Sequence, residues 1–248
     1  MRIALHADGE FAVRTSKVIL AEPSTEVGIF EEEAKPARLH VVESLEDWDV
    51  LVVEAITIAS RVQIERAYGA GIPVVLATED LPLTEHVPRT SIVGVLNGPR
   101  LAMALARHAT RDGGDLMDAA FAWTIPGHPL SDGVASTFPN PVGPLWADRA
   151  AIPETSYAAT GVAAPTKTSW RGVTARVTVG TGDGIRERVV GLVDDASFLN
   201  AVCLAAAGMA AAKGAYATGV HGPGDEAGVF IANAQRAGLD IASFEPAA

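Results

Sequence analysis

Three side chains in the second half of the sequence have the chemistry to handle a small charged substrate. His128, in Pro126-Gly127-His128-Pro129, titrates near neutrality and suits a general acid. Lys167, in Thr166-Lys167-Thr168, is a second proton donor. Arg149 presents a planar fork that clamps a carboxylate through two hydrogen bonds. His128 and Arg149 belong to the stretch 123–149, where Trp123, Asp132, Phe138, Trp146 and Asp148 stand among prolines. Rigid loops carrying aromatic and polar groups commonly line pockets. The structural alternative is a turn at 126–129, with the tryptophans filling a small core.

A second candidate site lies near the N-terminus. Where an apolar strand passes into a helix, a Gly-x-Gly-x-x-Gly turn lets backbone amides touch a pyrophosphate at the helix N-terminus. The matching stretch here is His6-Ala7-Asp8-Gly9-Glu10-Phe11, in which only Gly9 is a glycine. Asp8 and Glu10 put negative charge where the pyrophosphate belongs, a contact that costs roughly a few kcal/mol at a partly exposed site. One reading is a cofactor held in an altered pose, with His6 near a phosphate. The other is a nucleotide-type fold without its cofactor. Glu31 and Glu32 stand about 20 positions further on, where an acidic residue holds the ribose hydroxyls of NAD and repels the extra phosphate of NADP. A bound dinucleotide is therefore expected to be NAD in preference to NADP, unless 31–33 is simply a solvated charge run. Glu54 and Thr78, which follow the fourth and fifth apolar runs, complete the expected cofactor-binding set.

Other chemistries lack their residues. No His-x-x-x-His or cysteine cluster offers metal spacing, and no Gly-x-Ser-x-Gly elbow or Walker loop is present. The glycine-rich stretch 180–184 joins two strand-like runs and does not open a helix, so it reads as a hairpin turn. The single cysteine, Cys203, lies in an apolar, alanine-rich helix and reads as buried and inert.

The elements that must hold these groups alternate from the start. Apolar strand-like runs occur at 3–7, 26–30, 39–42, 49–53, 72–77 and 91–96, with helical patterns at 11–20, 56–68 and 99–109. The run 49–53 is continuously apolar and β-branched, as in a strand buried on both faces. Such alternation predicts parallel βαβ units and, through right-handed crossovers, a doubly wound sheet. The fold class is thus α/β: a Rossmann-like parallel sheet over 1–115, then a smaller α+β domain over 116–248. In that second domain a hairpin pairs 172–179 with 186–193, and Asp194 or Asp195 caps a long helix at 196–213. A last helix near 226–237 is expected to pack back on the first domain.

Bulk composition narrows the partners. Of 248 residues, 48% are hydrophobic and 20% charged, which is globular composition. The net charge of -11, without a basic stripe, argues against nucleic acid. No apolar run approaches the ~20 residues of a membrane helix, and no signal pattern opens the chain. A cytoplasmic setting and a small-molecule substrate are the expectation.

Three stretches carry a family likeness. These are 63–79 (QIERAYGAGIPVVLATE), 93–109 (VGVLNGPRLAMALARHA) and 173–239 with its closing Gly219-Val220-His221-Gly222-Pro223. In order and type they resemble the saccharopine dehydrogenase-like oxidoreductases, a plan shared with dihydrodipicolinate reductases and homoserine dehydrogenases. The resemblance implies a Rossmann fold and NAD(P)-dependent hydride transfer on a small amino- or imino-acid-like substrate. The alternative is a non-catalytic relative that has lost the cofactor and serves as a ligand-binding or dimeric protein. A homodimer through the second domain is expected, because the helix 196–213 is apolar on nearly every side and needs burial.

Overall fold

The computed structural model describes residues 1–30, 39–79, 90–127 and 133–244. Among them the chain divides into two compact units, Met1–Asn97 with Asn200–Gly238, and Gly98–Leu199 with Leu239–Ala248. This division differs from the boundary expected near residue 115. The helix at 98–109 packs on the sheet of the second unit, and residues 200–238 return to the first.

The first unit opens with β1 (Arg2–His6), α1 (Gly9–Leu20), β2 (Glu26–Ile29), β3 (His40–Val41), β4 (Val50–Val53), α2 (Ile58–Gly69), β5 (Val74–Leu76) and β6 (Thr90–Ile92). The second contributes α3 (Gly98–Ala109), β7 (Asp115–Pro126), β8 (Val134–Thr137), β9 (Pro144–Arg149), β10 (Ala158–Thr166), β11 (Trp170–Thr181) and β12 (Gly184–Asp195). Then come α4 (Ala196–Ala212), β13 (Gly219–His221), α5 (Ala227–Arg236) and β14 (Ala242–Phe244).

The first sheet runs β13-β6-β5-β4-β1-β2-β3, and its pairings are all parallel. That is the doubly wound order expected, with β13 as an added edge strand. The pattern Val50-Leu51-Val52-Val53 makes β4 a central strand, and all four residues are 0% exposed. α4 lies so close that a Cβ on Gly208 would meet Val52. Asn233 of α5 is fully buried and donates from Nδ2 to the carbonyl of Ala206. The apolar helix is therefore buried within one chain: Val202, Cys203 and Leu204 are 0% exposed. The burial that a dimer was expected to supply comes from the chain's own elements.

The crossover from β3 to β4 passes under β2 and β1 in the short stretch 42–49 without forming a helix. Trp48 anchors it. Its ring fills the space that Gly28 leaves by lacking a Cβ, and the guanidinium of Arg2 sits 4.9 Å from the ring centroid. Val42, Leu45 and Trp48 thereby join Leu51, Ile64, Tyr68 and Val74 in one core cluster.

The second unit is a mixed sheet, β14-β12-β11-β7-β10-β9-β8. β7, which none of the apolar runs named above marks, is its central strand. Ala119, Phe121 and Trp123 alternate inward at the period of two that marks a half-buried strand. α3 packs on β7, β11 and β12, and Gly98 has no room for a Cβ against Trp123. On the opposite face Phe138, Ala147 and Ala164 form a smaller cluster. The hairpin forms as expected, with Thr181 opposite Gly184, and β14 covers part of the outer edge of β12. Asp195 caps α4 by accepting from the Ser197 amide at 3.0 Å.

Candidate functional site

In open parallel sheets ligands bind beyond the carboxyl ends of the strands, where the strand order reverses. Here that point lies between β1 and β4, and the expected residues His6, Asp8, Gly9, Glu54 and Thr78 gather around it. His6 ends β1 and pairs with Val53, and its carbonyl accepts from the Glu54 amide at 3.1 Å. Gly9 starts α1 at a φ of +51°, a left-handed conformation that glycine adopts without strain. Thr78 follows β5, and its carbonyl accepts from the Gly94 amide. Glu31, Glu32 and His128 lie outside the described residues.

Two contacts engage the residues at the carboxyl end of β1. The Asp8 amide, in the position of an amide that would meet phosphate, donates to Oε2 of Glu54 at 3.3 Å. The Asp8 side chain makes no capping hydrogen bond to α1, so its charge stays at the loop. The His6 ring packs against Phe30 just beyond β2, with centroids 5.6 Å apart. Glu10 turns along the helix to pair with Arg14 at 2.7 Å, and that guanidinium holds the Glu10 carboxyl below its ordinary range. Glu54 moves the other way. Burial raises its pKa, the Asp8 amide lowers it, and the Asp8 carboxylate adds a further rise.

These residues do not fit a dinucleotide pyrophosphate. Two acidic side chains meet at the loop, and one already accepts from a loop amide. A phosphate brought there would displace a carboxylate from a hydrogen bond and face a second one, with no lysine or arginine among the residues so placed.

The second-unit candidates stand apart from one another. Arg149 ends β9 exposed, and it pairs with Val162 in the middle of β10. Lys167 lies exposed in the turn after β10. Five residues of strand separate their stations, on the order of 16 Å, so the sheet does not aim them at one group. Among the described residues no three His, Cys, Asp or Glu side chains converge as a metal site, and no helix is long and apolar enough to cross a membrane.

No protein-family model and no curated protein matches the chain. Solved structures do. Apo saccharopine dehydrogenase (L-Glu forming) from Saccharomyces cerevisiae superposes with a TM-score of 0.65 at 11% identity, covering 99% of this chain and 100% of that one. The fold is that of saccharopine dehydrogenase. The DAP dehydrogenase of C. glutamicum in complex with DAP gives 0.52 at 14% identity, over 91% and 93% of the two chains. A dehydrogenase (MviM) from Clostridium difficile gives 0.50 at 8%, over 95% and 98%. At such identities the saccharopine dehydrogenase likeness is one of architecture, and function must be argued from the site.

Sequence reasoning named Glu54 as a cofactor contact but missed its bond to Asp8, which joins residues 46 positions apart. It also missed Phe30 as the partner of His6. The usable signal was the charge pattern itself: an acidic residue after β4 facing an acidic loop after β1.

Proposed function

We propose that the chain is a ligand-binding relative of the saccharopine dehydrogenase-fold oxidoreductases that does not hold a dinucleotide in the pyrophosphate pose. The observation that carries this reading is the bond from the Asp8 amide to the Glu54 carboxylate. The ligand class we assign is a small amino- or imino-acid-like molecule. A homodimer through the second unit is the proposed assembly, with Trp146 among the exposed apolar side chains of that unit; a persistent monomer mass in light scattering overturns it.

The second reading is an NAD(P)-dependent oxidoreductase acting on the same substrate class, with NAD favoured through Glu31 or Glu32 and with His128, Lys167 and Arg149 at the substrate. It draws support from the likeness of architecture across nearly the whole chain. Melting curves with NAD, NADH, NADP and NADPH added separately decide between the two. Unchanged curves support the first reading. A ligand at 100 times its dissociation constant stabilises by ~2.7 kcal/mol, and an upward shift of that size with any of the four supports the second.

A further inference from the structure

The helix-less crossover leaves a space beside α2. An open-sided cavity of about 520 Å³ lies there, lined by Phe30, Val42 and Leu45 together with charged and polar groups. That volume falls in the range of small-molecule sites, roughly 300–1,000 Å³. Gln63 and Arg66 form one wall. They stand three residues apart on α2 and so share a face. Glu43 and Glu46, from the crossover, line the same cavity. Gly69 and Ala70 also line it.

We propose that this cavity binds a small zwitterion with an apolar body, such as a free amino acid with a hydrophobic side chain. Arg66 and the Gln63 amide take the carboxylate, because a guanidinium matches the two carboxylate oxygens. Glu43 and Glu46 take the ammonium. Phe30, Val42 and Leu45 receive the apolar body. An exposed arginine or glutamate alone is ordinary solvated surface. Opposite charges and apolar side chains lining one cavity match both ends and the middle of one molecule. The inference shares only its ligand class with the reading above, and it concerns a different place in the fold from the β1–β4 crevice.

Titration calorimetry of the full chain tests it with three probes: L-phenylalanine, 3-phenylpropionate and 2-phenylethylamine. The first carries both charges and the others one each. L-phenylalanine is expected to bind, and each singly charged probe about tenfold more weakly or less tightly still, tenfold being ~1.4 kcal/mol. Arg66→Gln is expected to weaken L-phenylalanine about tenfold and leave 2-phenylethylamine unchanged. A Glu43→Gln, Glu46→Gln double variant is expected to weaken the amine and spare 3-phenylpropionate. All three positions are exposed, and unchanged melting temperatures show that the variants fold. No saturable binding of L-phenylalanine up to roughly 10 mM overturns the proposal. So does equal affinity for the three probes, or indifference to Arg66→Gln. None of these results bears on dinucleotide binding, which the melting curves measure separately.

Discussion

Replacing Trp48 by alanine is expected to destabilise the first unit by about 3–5 kcal/mol, the range for deleting a large buried aromatic side chain. Trp48 is only 6% exposed. A tryptophan buries roughly 150–250 Å², worth at most ~4–6 kcal/mol at about 25 cal/mol per Å². The Arg2 guanidinium over the ring adds about 0.5–1 kcal/mol at a site this open. Alanine leaves a void beneath Gly28, and glycine has no side chain with which to fill it. Urea unfolding followed by circular dichroism measures the loss. With a slope of about 2–3 kcal/mol per molar, the midpoint should fall by roughly 1–2.5 M. Ile58, which is 87% exposed, supplies the internal control: its alanine variant should stay within about 0.5 kcal/mol of the parent. A loss below about 1 kcal/mol for Trp48→Ala would refute the view that this side chain pins the crossover and shapes the cavity beside it.

Asn233→Ala removes the buried donor to the Ala206 carbonyl and the acceptor of the Arg236 guanidinium, and should cost about 0.5–1.5 kcal/mol for each bond lost; thermal melting checks it, and a neutral result contradicts the docking of α5 on α4. Glu54→Gln has a pH signature. A carboxyl whose folded pKa is raised favours the folded state only while protonated, so that contribution disappears as pH rises from the unfolded value of 4.5 through the folded one. The glutamine variant lacks this loss, and its melting temperature should match the parent near pH 4 and exceed it at pH 7; a gap independent of pH argues against the crowding of Glu54 by burial and Asp8.

The parallel sheet was legible because its strands are short apolar runs with few other uses. Val50–Val53 admits little but a central strand, and the glycines after α2 mark its end. β13 was not legible. Its three residues, Gly219–His221, have no pattern of their own and become a strand only by pairing with β6. β7 escaped for a different reason: Asp115 and Asp118 put charge near one end of the strand, so its alternation emerges only from Ala119 onward. The candidate site was half legible. Residue types showed that the loop after β1 opposes phosphate, whereas the Asp8–Glu54 bond and the His6–Phe30 contact depend on which strands adjoin. The stations of Arg149 and Lys167 likewise follow from the register of β9 on β10, which composition does not encode.

The most direct test of the central claim is a calorimetric titration of the wild-type chain with NAD and with NADP at neutral pH. The Asp8–Glu54 contact and the His6–Phe30 pair predict no saturable heat with either dinucleotide at millimolar concentration, where a 1 mM dissociation constant corresponds to about 4.1 kcal/mol. Saturable one-to-one binding of either, weakened when Gly9 is replaced by valine, would contradict it, because the loop after β1 would then be meeting the pyrophosphate after all.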